Sequence, residues 1–151
     1  MVNWQRIDNV LLDMDGTLLD LSFDNYFWLE FLPQKISIRK DISLEDAIEI
    51  VRSLSESTYG SLLWYCLDHW SENLDMDIEA LKKEVRHKIK MRPYCAKFLS
   101  YIKSLNKRTV LVTNAHPKAL AIKLSASGLD EHLDEMISSH EFKLAKENDG
   151  F

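Results

Sequence analysis

The chain has 151 residues, a mass of 17.6 kDa and a net charge of −5, from 19 basic and 24 acidic side chains. Its apolar fraction of 46% and charged fraction of 28% are ordinary for a globular protein, and they exclude a disordered chain, a collagen and a coiled-coil rod. The acidic balance argues against nucleic acid or an anionic membrane as the main partner. No apolar run reaches the length of a signal peptide or a membrane span, so we expect a soluble, cytoplasmic protein.

The predicted elements begin with a strand at residues 10–12, an apolar run that stops at an acidic, glycine-containing turn. Helical stripes follow, and then a second apolar strand at 109–113. A helix starting at Pro117 and ending before Gly128 leads to a weaker third strand at 136–139. The helices predicted before the second strand are one capped by Ser43 and running to Leu54, one over 62–74, one capped by Asp77 and running to Ile89, and one over 98–105.

Strands separated by helices predict an α/β fold with a parallel sheet and helical crossovers. The stretch between the first two strands is too long for a single crossover, and its helical stripes indicate an inserted subdomain. We therefore expect an α/β core formed by residues 1–20 and 91–151, with residues 21–90 as a helical cap.

Two carboxylates, Asp13 and Asp15, stand at the end of the first strand. Side chains two residues apart point the same way, and ligands of parallel sheets bind beyond the carboxyl ends of the strands. Two carboxylates at close range need a cation or a shared proton, and Mg²⁺ is a hard cation that prefers oxygen ligands. Gly16 permits a sharp turn whose N–H can approach an anion, and Thr17 adds a hydroxyl there.

Residues 13–17, Asp-Met-Asp-Gly-Thr, resemble the DxDGT signature of the haloacid dehalogenase-like hydrolase superfamily. The resemblance implies a Rossmannoid parallel sheet with an inserted cap. It also implies that Asp13 is the nucleophile that takes a phosphoryl group and that Asp15 is the general acid and base. Mg²⁺ is then held by the Asp13 carboxylate and the Asp15 backbone carbonyl.

The same family carries a Thr or Ser at the end of the next strand and a Lys before the one after it. Thr113 matches the first of these, with Asn114 beside it, and both are expected to bind the phosphoryl oxygens. Lys146 is the best match for the lysine that neutralises the developing charge, and Lys143 is the alternative.

Three segments, 13–28, 64–70 and 112–117, look like the bacterial GMP/IMP nucleotidase subgroup of this family. That resemblance implies a small-molecule phosphomonoester substrate, a purine nucleoside 5′-monophosphate, with the cap over the site. The same fold also carries phosphosugar mutases and dehalogenases. Asp15 disfavours a dehalogenase, which does not need that acid.

The family's fourth motif, one or two acidic residues after a further strand, is not found before Phe151. We therefore expect a core that is incomplete at its C-terminus, an open edge on the first strand, weak Mg²⁺ affinity and low turnover. A different reading is an inactive fragment that binds a partner through this sheet edge. The oligomeric state stays open.

The remaining polar and aromatic candidates have structural interpretations as well. Cys66 and Cys95 are expected to be reduced, buried thiols, and the five histidines have no metal-ligand spacing. His116 is expected to open the helix before Pro117, although it could contact substrate phosphate. The aromatic residues of segment 23–28 are expected in the cap core; the alternative is that one stacks on a purine while Asn25 reads its edge.

Overall fold

Three parallel strands form one sheet in the order β1-β2-β3 in the computed structural model, which describes residues 2–151. They are β1 (Asn9–Leu12), β2 (Arg108–Thr113) and β3 (Glu135–Ser138). Leu12 lies opposite Leu111, and Thr113 lies opposite Ser138, so β2 ends level with β3 and two residues beyond β1. The predicted strands and their parallel arrangement are confirmed.

One edge of the sheet is open, because β1 pairs with β2 alone among the strands that the structure describes. Leu11, in the middle of β1, is 68% exposed, whereas Leu111 on the central strand is fully buried. An exposed apolar side chain on a strand with one unpaired edge is what an incomplete sheet is expected to leave. The predicted open edge of the first strand is confirmed.

Seven α-helices and several single turns surround the sheet within residues 2–151. The helices are α1 (Ser22–Tyr26), α2 (Leu32–Lys40), α3 (Leu44–Thr58), α4 (Leu67–Leu74), α5 (Ile78–Glu84), α6 (Cys95–Ser104) and α7 (Pro117–Ser127). A π-helical turn covers Phe27–Phe31, and 3₁₀ turns cover Trp4–Arg6, Leu62–Tyr65, Arg86–Lys88, Leu129–His132 and Ser139–Glu141.

The helix caps follow the sequence signals. The Ser43 hydroxyl accepts a hydrogen bond from the Asp46 amide at 3.1 Å, and Asp77 accepts one from the Ala80 amide at 2.9 Å. Helix α7 starts at Pro117 and ends at Ser127. Gly128 follows it with a φ of +66°, the left-handed conformation that glycine adopts readily. These three predictions are confirmed.

Two predicted helices are interrupted. The stripe over 62–74 is a 3₁₀ turn followed by α4, because the backbone at Cys66 is extended. The stripe over 77–89 stops as an α-helix at Glu84 and continues as the turn Arg86–Lys88. Apolar spacing alone could not reveal either break, since the side chains keep contacting the core on both sides.

The segment 22–40 is helical throughout, which the sequence pattern did not predict. Its two α-helices are joined by the π-helical turn, which ends at Phe31, two residues before Pro33 in the first turn of α2. A proline lacks an amide hydrogen, and a π turn is one of the ways in which a helix accommodates such a break. The dense aromatic run from Phe23 to Phe31 hides the helical period.

The chain leaves and re-enters the sheet region through two paired segments. The Asp20 amide donates to the Lys90 carbonyl at 2.9 Å, and the Arg92 amide donates to the Leu18 carbonyl at 2.8 Å. We call residues 21–90, between these segments, the helical insert. That the insert and the remainder form two domains stays a prediction.

One hydrophobic cluster extends from the sheet into the helical insert, and it includes Leu12 and Leu111 of the strands together with Phe23, Phe27 and Leu67. Phe23 and Phe27 are almost completely buried, as expected for the aromatic run. No helix within residues 2–151 has the length and apolar character needed to cross a membrane.

Candidate active site

The turn after β1 holds the two acidic residues of the DxDGT segment. Gly16 has a φ of +81°, and a Cβ there would lie 3.3 Å from the Leu21 side chain, so the turn favours glycine on both counts. The Thr17 hydroxyl donates to Asp13 Oδ2 at 3.3 Å. Asp13 and Asp15 line the same cavity, as the alternation of side chains along the strand predicts.

Lys146 reaches this turn from the C-terminal segment. Its Nζ lies 2.5 Å from Asp13 Oδ1 and 3.1 Å from the carbonyl oxygen of Val112, the penultimate residue of β2. Lys143, the alternative lysine, is exposed and does not line the cavity. The structure therefore brings Lys146 rather than Lys143 to the predicted nucleophile.

Asn114 holds the lysine segment in place. Its side-chain oxygen accepts a hydrogen bond from the Lys146 amide at 2.8 Å. Its side-chain nitrogen donates to both carboxylate oxygens of Glu147, at 3.0 and 2.8 Å. These side-chain contacts position Lys146, and the expected contact of the Asn114 backbone N–H with phosphate stays a prediction.

Thr113 ends β2 with its side chain almost wholly buried, and it lines the cavity beside Asp13. Its hydroxyl oxygen accepts a hydrogen bond from the Ala115 amide at 3.1 Å. A hydroxyl that accepts in this way keeps its own hydrogen for donation, which suits contact with an anion.

A buried charge cluster, formed by Asp15, Asp24, Lys82 and Lys123, adjoins the turn. The Lys123 ammonium donates to Asp15 and to Asp24, each at 2.6 Å, and Lys82 donates to the other oxygen of Asp24 at 3.2 Å. The side chains of Lys123 and Lys82 are only 5% and 3% exposed. Each buried ammonium thus has a carboxylate partner, as desolvated charges require.

The pKa values of the two carboxyl groups in this cluster shift in opposite directions. Burial raises the pKa of Asp15 despite the ammonium of Lys123 beside it. Burial also acts to raise the pKa of Asp24, but the charges of Lys123 and Lys82 outweigh it and lower that pKa. Asp15 is therefore the carboxyl of the cluster that most readily holds a proton.

Lys82 lies among aromatic rings. Its Nζ is 4.3 Å from the ring centre of Phe27, 4.8 Å from that of Trp28 and 4.9 Å from that of Phe23. Burial lowers the pKa of Lys82 to about 8, although Asp24 opposes the shift. Ring faces stabilise a cation, so they offset part of the cost of burying this one.

The cavity over the turn has a volume of about 830 Å³, within the range of small-molecule sites. Its charged end is formed by Asp13, Asp15 and Lys146. Its opposite wall belongs to the helical insert and includes Trp28, Trp64, Tyr65, Trp70, Ile48, Val51 and Arg52. One end therefore suits a phosphate and a metal ion, and the other suits a planar, largely apolar group.

His116 lines the cavity as well, but its contacts are those of a helix cap. Its Nδ1 accepts a hydrogen bond from the Lys118 amide at 3.4 Å, directly before α7. The expected helix-entry role of His116 is confirmed.

Comparison with known proteins assigns the family. Residues 7–149 match the model of the haloacid dehalogenase-like hydrolases. The chain belongs to the haloacid dehalogenase-like hydrolase family. The GMP/IMP nucleotidase YrfG of Escherichia coli K12 is 44% identical over 147 residues, which are 97% of this chain and 66% of that protein, and the Shigella flexneri protein of the same name matches equally. The chain thus spans just under two thirds of these relatives.

Solved structures agree with the family assignment. A phosphatase of this family from Thermococcus onnurineus superposes with a TM-score of 0.76 at 26% identity, covering 88% of this chain and 62% of that one. An L-2-haloacid dehalogenase from Xanthobacter autotrophicus superposes with a TM-score of 0.58 at 18% identity, covering 93% and 60%, and shows the shared fold alone. The predicted family and the fold, a Rossmannoid parallel sheet that is incomplete at the C-terminus, are confirmed.

Hydrolases of this family generally use Mg²⁺, and the chemistry of the donors here fits a hard cation. Asp13 Oδ2 accepts only a long hydrogen bond from Thr17, so it keeps lone pairs for a ligand. The carbonyl oxygen of Asp15 and the Asp13 carboxylate are the predicted ligands. Glu147, a further carboxylate of the cavity wall, is engaged by Asn114.

The residues that sequence reasoning missed in this family member are Asp24, Lys82 and Lys123. They come from α1, α5 and α7, up to 108 positions from Asp15, so no local motif joins them. One signal was available: Lys123 lies between Ile122 and Leu124, two residues that pack on the core. A lysine on the apolar side of a helix needs a buried carboxylate partner.

Proposed function

We propose that this chain carries the nucleophile and general acid of a Mg²⁺-dependent phosphatase that acts on purine nucleoside 5′-monophosphates through an aspartyl-phosphate. The observation that carries the proposal is the meeting of Asp13, Asp15, Thr113 and Lys146 at one end of a single cavity. The 44% identity to a GMP/IMP nucleotidase supports the substrate class.

In the first step, a carboxylate oxygen of Asp13 forms a bond to the phosphorus atom while the bond to the 5′ oxygen breaks. The leaving oxygen takes a proton from the Asp15 carboxyl, whose pKa is raised by burial and which can therefore hold that proton. Covalent catalysis of this kind divides one difficult displacement into two easier ones.

In the second step, a water molecule attacks the same phosphorus atom and gives its proton to the Asp15 carboxylate. The bond from phosphorus to Asp13 breaks, which releases phosphate and restores both carboxyl groups. Mg²⁺, when bound, neutralises charge on the phosphoryl oxygens. The Lys146 ammonium, 2.5 Å from Asp13, also offsets the negative charge that develops there.

The apolar wall of the cavity supports a substrate whose nucleobase is a purine. Trp28, Trp64 and Tyr65 offer ring faces, and Asn25 adds an amide among the lining residues. Aromatic faces stack on bases with little dependence on sequence, while a single amide can distinguish the edge of one base from another.

The test is Mg²⁺-dependent phosphate release by the purified chain from GMP, IMP, a pyrimidine monophosphate and a sugar phosphate, with Asp13→Asn as the matched control. We expect release from the purine nucleotides, at a low rate, and loss of release in Asp13→Asn. Release from the sugar phosphate alone would favour a phosphosugar phosphatase or mutase. Absence of release from every substrate would favour the inactive binding fragment.

A further inference from the structure

Three side chains with affinity for soft metal ions meet beside the cavity, outside the carboxylate site. The ligand atoms of Cys66, His116 and His140 all lie within 4.8 Å of one another. The rings of the two histidines pack edge to face, with their centres 4.9 Å apart. They show no metal-ligand spacing along the chain because they belong to three separate segments: the start of α4, the start of α7 and the turn after β3.

Each histidine has a ring nitrogen left for a ligand. His116 Nδ1 accepts from the Lys118 amide, so its ligand atom is Nε2, which lies 3.7 Å from Asp68 Oδ2. His140 Nε2 is buried and has no hydrogen-bond partner among the residues that the structure describes, which is costly for a polar atom. His116 is only 9% exposed. Burial lowers the pKa of both imidazoles and so favours their neutral form, the form that binds a metal.

Cys66 supplies the sulfur. It is a free cysteine, and it is half-buried rather than fully buried as the sequence suggested. Its position next to Tyr65, which lines the cavity, places the sulfur at the boundary between the helical insert and the sheet.

We propose that Cys66, His116 and His140 form a second metal site, for Zn²⁺ or a similar borderline-soft ion, distinct from the Mg²⁺ site. One thiolate and two imidazoles are a usual set of three protein ligands for zinc, with water at the fourth position. Tetrahedral Zn²⁺ places such ligand atoms about 3.3–3.6 Å apart, and the three here already lie within 4.8 Å of one another, so small side-chain rotations suffice. Binding releases the Cys66 thiol proton to solvent.

The consequence of binding is a link between two parts of the chain. Cys66 belongs to the helical insert, whereas His116 and His140 follow β2 and β3. His116 is three residues from Thr113, and Tyr65 is adjacent to Cys66, so the ion fixes two walls of the cavity relative to each other.

The experiment titrates the reduced 151-residue chain with Zn²⁺ against a chromophoric chelator, in excess Mg²⁺ so that the carboxylates hold the harder ion. We expect one equivalent to bind, with release of about one proton. Co²⁺ in place of Zn²⁺ is expected to give the near-ultraviolet absorption of a thiolate–cobalt bond, which reports a sulfur ligand in the unmodified protein.

Variants identify the ligands. Cys66→Ser and His140→Ala should each weaken Zn²⁺ binding at least about 100-fold, since loss of an outer partner alone costs 10–100-fold. Cys95→Ser, which removes the other free thiol, and Asp13→Asn should bind as the parent chain does. Absence of stoichiometric binding, absence of the thiolate band, or unchanged binding in Cys66→Ser would overturn the proposal. Failure of phosphate release would leave it intact.

Discussion

Two lysine–carboxylate contacts lie at the same end of the cavity, and they differ in exposure. In the first, Lys146 contacts Asp13, and these side chains are 23% and 40% exposed. In the second, Lys123 is 5% exposed and lies between Asp15 and Asp24. Water and a substrate can therefore reach both members of the first pair. In the second, the ammonium of Lys123 is shielded, whereas Asp15 and Asp24 stay 30% and 20% exposed on the cavity side.

The difference in exposure separates two tasks that one type of contact can perform. An exposed ion pair contributes little to stability and can be rearranged by an incoming anion. A buried one is costly to break, because a single charge is left without water or a partner. The contact of Lys146 with Asp13 is therefore suited to the group that reacts. The contact of Lys123 with Asp15 is suited to holding Asp15 in one position and keeping its pKa constant.

The largest expected effect comes from breaking the buried contact. Lys123→Met removes the ammonium shared by Asp15 and Asp24 and leaves two carboxylates facing each other. We expect it to lower the free energy of unfolding by about 3–5 kcal/mol, as measured by urea denaturation at pH 7. A change below about 1 kcal/mol would mean that the cluster is open to water.

A smaller effect is expected from Lys82, and it depends on pH. Burial lowers the pKa of Lys82 to about 8, whereas the unfolded chain keeps this proton up to the ordinary value of 10.5. Between these values the unfolded state binds more protons than the folded state, so the contribution of Lys82 to stability rises with pH.

Lys82→Met removes that rise. We expect the unfolding free energy of the variant, relative to the parent chain, to fall by up to about 3 kcal/mol between pH 8 and pH 10.5. Lys83→Met is the matched control, because Lys83 is half-exposed and pairs with Glu79 on the helix surface. Equal pH dependence in the two variants would show that Lys82 titrates normally.

The smallest effect on stability is expected at the exposed pair. Lys146→Met should change the free energy of unfolding by less than about 1 kcal/mol. If the chain releases phosphate as proposed, the same change should slow release by about 100-fold or more, because a positioned charge is lost. A large loss of stability without loss of phosphate release would reverse the assignment of the two contacts.

The fold and the two carboxylates of the turn after β1 could be predicted from the sequence, because both depend on local patterns. The run Val10-Leu11-Leu12 before Asp13 identifies a strand end, and Pro117 and Gly128 bound a helix by their backbone chemistry. The DxDGT segment then placed both carboxylates on one turn. Such signals lie within a few residues and need no knowledge of the tertiary structure.

The buried charge cluster and the cysteine–histidine group could not be predicted, because they depend on contacts between distant segments. Asp24 meets Lys123 and Lys82 only after three helices pack together, and Cys66 meets His116 and His140 in the same way. The breaks at Cys66 and Glu84 and the π turn before Pro33 were missed because apolar residues continue through them. The spacing of apolar residues predicts which face of a helix is buried, but it does not predict which residues that face contacts.

The central claim, that Asp13 receives the phosphoryl group, is tested most directly by finding where that group is attached. The purified chain is incubated with GMP and Mg²⁺, quenched in acid, digested and analysed by mass spectrometry. The account predicts a phosphoryl group on the peptide that contains Asp13, and its absence from Asp13→Asn treated in parallel. A phosphoryl group on another residue, or phosphate release that persists in Asp13→Asn, would contradict it.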